Sequence, residues 1–311
     1  MSLTAIPKKT TNPRLALVAG VASIATVSVL IVIKTLAYLK SGDSASVLAS
    51  LVDSITDASA SIMTFLAIQY SLKPADEDHR HGHGKIEGLA ALLQAAVIAA
   101  AGFFLLLESL RRFSESEPVQ NMGGTIVVMV ISTLLSFVLI AIQKYSLRFA
   151  PSLAVEADKA HYKTDILVNA GVIGVMLALQ YGAPRWVDAV FAVGVVFILG
   201  LTVRKIAGQG IDMLLDREIP GNAREVITKK VLSHAHVRGM HDLRTNKSGM
   251  KVFMSFDIEL EPNLLLCHAH DIVREVEHDL LADFPNAEIL IHVDPLGDKD
   301  DSRHGVAGVH K

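Results

Sequence analysis

Residues 88–107 and 122–142 carry no charged side chain, and this constrains the chain more than any other feature. About 20 consecutive apolar residues cross the hydrocarbon core of a bilayer as one helix. Inside lipid, a helix satisfies every backbone N–H and C=O within its own segment. Both runs therefore predict membrane-crossing helices. Residues 15–39, with Lys34 alone, and 186–203, with Asp188 alone, predict two more, because single charges near a helix end reach an interface. Residues 44–72 and 152–179 complete a set of six. They are apolar, but Asp53 and Asp57 interrupt the first, and Glu156, Asp158, Lys159, His161, Lys163 and Asp165 the second.

Composition agrees with this reading and excludes others. Of 311 residues 51% are hydrophobic and the mean hydropathy is +0.41, more apolar surface than a water-soluble globule covers. A net charge of -3 and 5% aromatics lack the basic excess and aromatic interleaving of a nucleic-acid binder, so no nucleic-acid partner is expected. Cys267 is the single cysteine, so no disulfide forms within one chain. The first apolar run is longer than a signal-peptide core and is read as the first span, not as a cleaved leader. Six spans put both termini on one side of the bilayer. Short segments on that side hold ten Lys and Arg, against Lys40, Arg111, Arg112 and Arg185 on the other, so both termini are expected in the cytoplasm.

Beyond about residue 208 the pattern becomes that of a small α+β domain in the order α-β-β-α-β. Residues 222–232 predict a helix. Val252, Met254, Phe256, Ile258 and Leu260 alternate with Phe253, Ser255, Asp257 and Glu259, which predicts a half-buried strand. Lys247-Ser248-Gly249 before it suits a hairpin turn from residues 241–246. Residues 264–281 predict a second helix and 287–293 a last strand. The expected organisation is thus a transmembrane domain over 1–210, a cytoplasmic metal-binding domain over 211–295 and a disordered polar tail over 296–311.

The acids and histidines carry the chemistry. Asp53 and Asp57 are four apart, as are His161 and Asp165, so each pair projects from one helical face. An unpaired acid at membrane depth costs roughly 2.5–3.5 kcal/mol on insertion scales, and coordination of a dication offsets that. Three carboxylates and one imidazole suit four-coordinate zinc, and are acceptable to cadmium, iron, cobalt or manganese. The competing reading, interfacial or helix-packing polarity, explains one such pair more readily than two. Between spans two and three, Asp76, His79 and His83 have the spacing of a turn-like chelate, and equally of a solvated loop with histidines. In the soluble domain His292 and Asp294 share one face of the last strand, and Asp257 lies on the polar face of its own. With His241 and His270 they form one or two metal sites, or ordinary strand polarity.

Neither a G-x-x-x-x-G-K-[ST] phosphate loop nor an H-E-x-x-H peptidase motif occurs in the sequence, and the chain is not expected to be an enzyme. Moving a dication outward against an inside-negative potential costs about 4.6 kcal/mol per 100 mV, so export needs coupling. Protons are the natural counter-ion, because metal and proton compete for the same carboxylate and imidazole atoms. Two other readings compete with a proton-coupled exporter: a passive divalent-cation channel or importer, and a membrane-anchored metal-sensing or scavenging protein.

LVDSITD, PADEDHRHGHGKIE, EADKAHYKTD, LLDRE, MHDLRT and ILIHVDP, in this order, resemble the cation diffusion facilitators over nearly all of residues 14–295. The resemblance implies a homodimer in a bacterial inner membrane, with six helices per subunit and a metallochaperone-like cytoplasmic domain, exchanging zinc for protons by alternating access. It maps a transport site onto Asp53, Asp57, His161 and Asp165, a loop site onto Asp76, His79 and His83, and a binuclear cytoplasmic site onto His241, Asp257, His270, His292 and Asp294. Lys85 and Asp216 match a charged interlock of the family. Asp257 stands where close relatives carry histidine, Val293 and Asn246 replace polar and arginine positions, and Ala160 replaces a bulky gating residue.

Overall fold

The computed structural model describes residues 12–41, 45–114, 122–184 and 186–297. The expected tail from residue 298 and the side chain of Asp53 lie outside the described part. The described residues form two compact units that divide between Leu214 and Leu215.

The first unit is a bundle of α1 (Arg14–Ser41), α2 (Ala45–Ser71), α3 (Ile86–Ser114), α4 (Met122–Ser146), α5 (Leu153–Gln180) and α6 (Trp186–Leu214). By length and composition four stretches suffice to cross a membrane: Pro13–Leu36, Ile86–Leu107, Met129–Ser146 and Val190–Leu214. The polar residues of α2 and the six ionisable residues opening α5 keep those two helices out of that set. α6 runs eleven residues beyond the expected end at 203, to 214, because Arg204 and Lys205 end the apolar run without ending a helix that both residues favour. Large apolar side chains such as Phe103, Phe104, Phe137 and Phe197 lie on the outer surface, as lipid contact requires. Hydroxyls within the bundle return to the carbonyl one turn back, as Ser28 does to Ile24 at 2.7 Å and Thr202 to Ile198 at 3.1 Å.

Close helix approach is bought by glycine at one crossing. A Cβ on Gly210 of α6 would stand 2.8 Å from the carbonyl oxygen of Gly88 in α3, and one on Gly88 would stand 3.1 Å from that of Gly210. Small residues at such crossings let backbones meet where lipid supplies no hydrophobic drive.

The second unit contains α7 (Gly221–Leu232), β1 (Gly239–Ser248), β2 (Lys251–Leu260), α8 (Leu266–Asp283) and β3 (Ala287–Pro295). β2 is central, antiparallel to β1 and parallel to β3. Met254, Phe256, Ile258 and Leu260 are buried on one face of β2, against Ile227 and Val231 of α7 and Ile272, Val276 and Leu280 of α8. The turn between β1 and β2 uses Gly249 at φ 59°, a left-handed conformation that costs glycine nothing. The opposite face of the sheet carries the polar residues.

Candidate metal centres

In the bundle, α2 and α5 meet through two neighbouring polar contacts. His161 Nε2 of α5 lies 3.0 Å from Asp57 Oδ1 of α2 and 3.6 Å from Asp165 Oδ2, one turn further along its own helix. The hydroxyls of Tyr162 and Ser61 lie 2.9 Å apart beside this pair. Asp57 is 8% and His161 4% exposed. With metal–ligand bonds of about 2.1 Å, neighbouring donors of a tetrahedral ion stand about 3.4 Å apart. The observed separations bracket that edge length, so Asp57, His161 and Asp165 can hold one cation.

A second cluster forms in the loop between α2 and α3. Asp76 Oδ1 accepts the N–H of His79 at 2.6 Å and of Asp78 at 3.1 Å, and Gly82, at φ 75°, donates its N–H to the His79 carbonyl at 2.9 Å. This turn brings His79 Nδ1 to 3.1 Å and His83 Nε2 to 3.2 Å from the two Asp76 oxygens. Tyr70 packs edge-on against the His83 ring at 4.7 Å and buries it. The backbone N–H of His79 is the largest influence on the Asp76 carboxyl and holds it below its ordinary range, against a smaller opposing effect of burial.

The third cluster follows from sheet register. His241 pairs with Asp257 across β1 and β2, and Asp257 with His292 across β2 and β3, so the three form a row on the polar face. Asp294 reaches back to His292 Nε2 at 3.1 Å and to His241 Nε2 at 3.5 Å. Ligand atoms of His241, Asp257 and Asp294 converge closely enough for one ion. Burial raises the Asp257 carboxyl, and the nearby His241 and His292 oppose that rise. His270 is exposed on α8 and is not among the converging residues, and His292 joins the row chiefly through Asp294.

Two buried acids in the bundle were given no role by sequence. Asp158, 1% exposed, accepts Ser23 Oγ of α1 at 2.6 Å and Gln143 Nε2 of α4 at 2.7 Å. Glu87, fully buried, joins three helix ends. An acid directly before the charge-free run 88–107 was the available signal for Glu87, since a solvated loop residue and a buried cap look alike at that position.

Comparison with known proteins places both units. Residues 20–215 match a family model described as the cation efflux transmembrane domain, and residues 219–296 one described as the cation efflux protein, cytoplasmic domain. The chain is 43% identical over 275 residues to the cation-efflux pump FieF of Shewanella oneidensis, covering 88% of this chain and 92% of that one. It is 38% identical over 286 residues to the FieF pump of Yersinia pestis, covering 92% and 95%. Among solved structures it is similar to the zinc form of CzrB, with 27% identity, a TM-score of 0.26, and coverage of 27% of this chain and 97% of that one.

Proposed function

This chain belongs to the cation efflux family, whose members are transporters and not enzymes, and from that premise we propose that it exports divalent transition-metal cations, zinc foremost and also cadmium and iron, in exchange for protons. The observation that carries this reading is the convergence of Asp57, His161 and Asp165 between two helices of the bundle. In the proposal α1 to α6 all cross a bacterial inner membrane, both termini are cytoplasmic, and Asp53 completes a four-ligand transport site. α2 and α5 cross despite their acids because Asp57 and Asp165 converge with His161 on the ion, Asp158 accepts from Ser23 and Gln143, and Glu156 pairs with Lys205.

Zinc is preferred because one imidazole and three carboxylates suit a four-coordinate ion, whereas magnesium keeps its waters and demands octahedral oxygen ligation. Coupling follows from the same atoms. Coordination uses His161 Nε2 and the carboxylate oxygens of Asp57 and Asp165 in their proton-free forms, so an arriving dication displaces the protons those atoms hold and metal and proton alternate.

The loop residues Asp76, His79 and His83 and the cytoplasmic residues His241, Asp257, His270, His292 and Asp294 are read as further metal sites. Assembly into a homodimer belongs to the same reading.

The test is zinc flux in proteoliposomes, with and without an imposed pH gradient. The reading expects concentrative zinc movement that follows the gradient and stops when a protonophore removes it. Equal flux without any gradient would instead support a channel.

A further inference from the structure

Glu87 sits fully buried in the first turn of α3, and transport as proposed gives it no part. Its Oε2 accepts the backbone N–H of Leu153 at 2.7 Å, the hydroxyl of Ser152 at 2.8 Å and, more weakly, the N–H of Ala154 at 3.5 Å. Ser152 in turn receives the N–H of Val155 on Oγ at 3.3 Å and that of Glu156 on its carbonyl at 3.1 Å. The opening N–H groups of a helix have no partner inside it. In α5 they are accounted for by Glu87 and Ser152 together, and the carboxylate also meets the positive end of the helix dipole. On the other side, Glu87 Oε1 lies 3.0 Å from Ser71 Oγ in the last turn of α2, a hydroxyl that shares its one proton with the Ile68 carbonyl at 2.9 Å. One side chain of α3 thus ties the end of α2, the helix of Asp57, to the start of α5, the helix of His161 and Asp165.

We infer that Glu87 is a positioning residue for the transport site: it touches no ligand atom, and it holds the start of α5 against α2 so that His161 and Asp57 stay within coordinating distance. The inference rests on the reading that Asp57, His161 and Asp165 bind the transported ion. Groups that orient metal ligands without touching the metal are worth 10–100-fold in affinity, and this network is of that kind although it acts through a helix end.

The test compares Glu87→Ala, Glu87→Gln and Ser152→Ala with Asp57→Ala, using zinc flux into proteoliposomes with KM and maximal rate separated, and amide hydrogen exchange over residues 153–155. E87A removes the acceptor, so KM for zinc rises about tenfold or more and those amides exchange faster. E87Q keeps an oxygen for the backbone N–H groups and turns its NH2 toward Ser71, so its KM stays within about threefold of the parent. A general loss of stability would lower the folded yield and the rate, would leave KM alone, and would not rank Gln beside Glu. If E87A does not fold, S152A decides: it removes one donor to Glu87 and the acceptor of Val155, and a raised KM supports the role. An unchanged KM in folded E87A, or in S152A where E87A does not fold, overturns the positioning role while D57A is inactive. Zinc flux retained by D57A overturns the transport-site reading instead.

Discussion

Asp57→Ala separates the functional reading of the α2–α5 contact from a packing role, because the two move different observables. The change deletes one of the three described ligands, leaving His161 and Asp165 at 3.6 Å. Loss of an outer partner of a metal ligand costs 10–100-fold in affinity, so loss of a ligand itself costs at least the upper figure, about 100-fold or 2.8 kcal/mol. Folding is affected in the other direction. Asp57 is a small side chain, so alanine leaves little cavity, and an acid at membrane depth carries an insertion cost of roughly 2.5–3.5 kcal/mol that alanine lacks. The lost hydrogen bond to His161 returns about 0.6 kcal/mol of that, the mean for polar pairs between membrane helices. The metal-free variant therefore melts at or above the parent temperature while zinc flux falls at least about 100-fold. Thermal melts of the chelator-treated protein, beside zinc uptake into proteoliposomes with an acidic lumen, measure both. Flux within a few-fold of the parent, or a melting temperature that drops along with the flux, would refute the reasoning.

His161→Asp makes the ligand set all oxygen, so selectivity should relax toward manganese or iron, and the pH dependence of transport should move downward, since imidazole titrates near about 6.5 and a carboxylate near about 4. Competition uptake at several pH values checks both, and an unchanged metal order and profile would remove His161 from the site. In the second unit, burial raises Asp257, so the folded state favours its protonated form. That contribution to stability is complete below the ordinary carboxylate range and is lost as pH rises through the raised value. Asp257→Asn should therefore raise the melting temperature of the metal-free protein at neutral pH, flatten its acid-range pH dependence, and shrink the stabilisation produced by added zinc. A zinc-induced shift equal to the parent's would exclude Asp257 as a ligand.

What the sequence revealed of this chain depended on whether a signal was local. Charge-free runs and the alternation from Val252 to Leu260 are written in consecutive residues, and the starts of the helices and the buried face of β2 lie close to where those patterns put them, although α3 continues to Ser114, past the end of its charge-free run. The C-terminal end of α6 was not legible, because hydropathy marks where the apolar run ends and not where the helix does. Spacing of four put Asp57 on one helical face and His161 with Asp165 on another, but only packing of α2 on α5 brings those faces to 3.0 Å. The row His241, Asp257 and His292 depends on the register of three strands, two of them parallel and joined through α8, which no local pattern specifies. Glu87 was missed because its partners Ser71 and Leu153 lie 16 and 66 residues away.

The irregularity in β1 bears on how this sheet meets others. Between His241 and Arg244 the strand advances three residues while β2 advances two, with Asp242 at φ 49° and its carboxylate held by the Arg244 guanidinium at 2.7 Å. Counting faces, the extra residue lets His241 and Arg244 both stand on the polar side of the sheet, opposite Asp257 and Ser255. Without Asp242 the faces would be unchanged and the strand would run straight. β1 is an outer strand, and side chains already occupy part of its backbone edge, Glu218 accepting the Thr245 N–H at 3.0 Å and Arg224 donating to the Leu243 carbonyl at 3.3 Å, so a straight version would offer the remaining row of N–H and C=O groups to another strand. The bulge blunts that row. The β1 edge of the sheet is thereby a poorer template for a further strand than a straight strand in the same place would be.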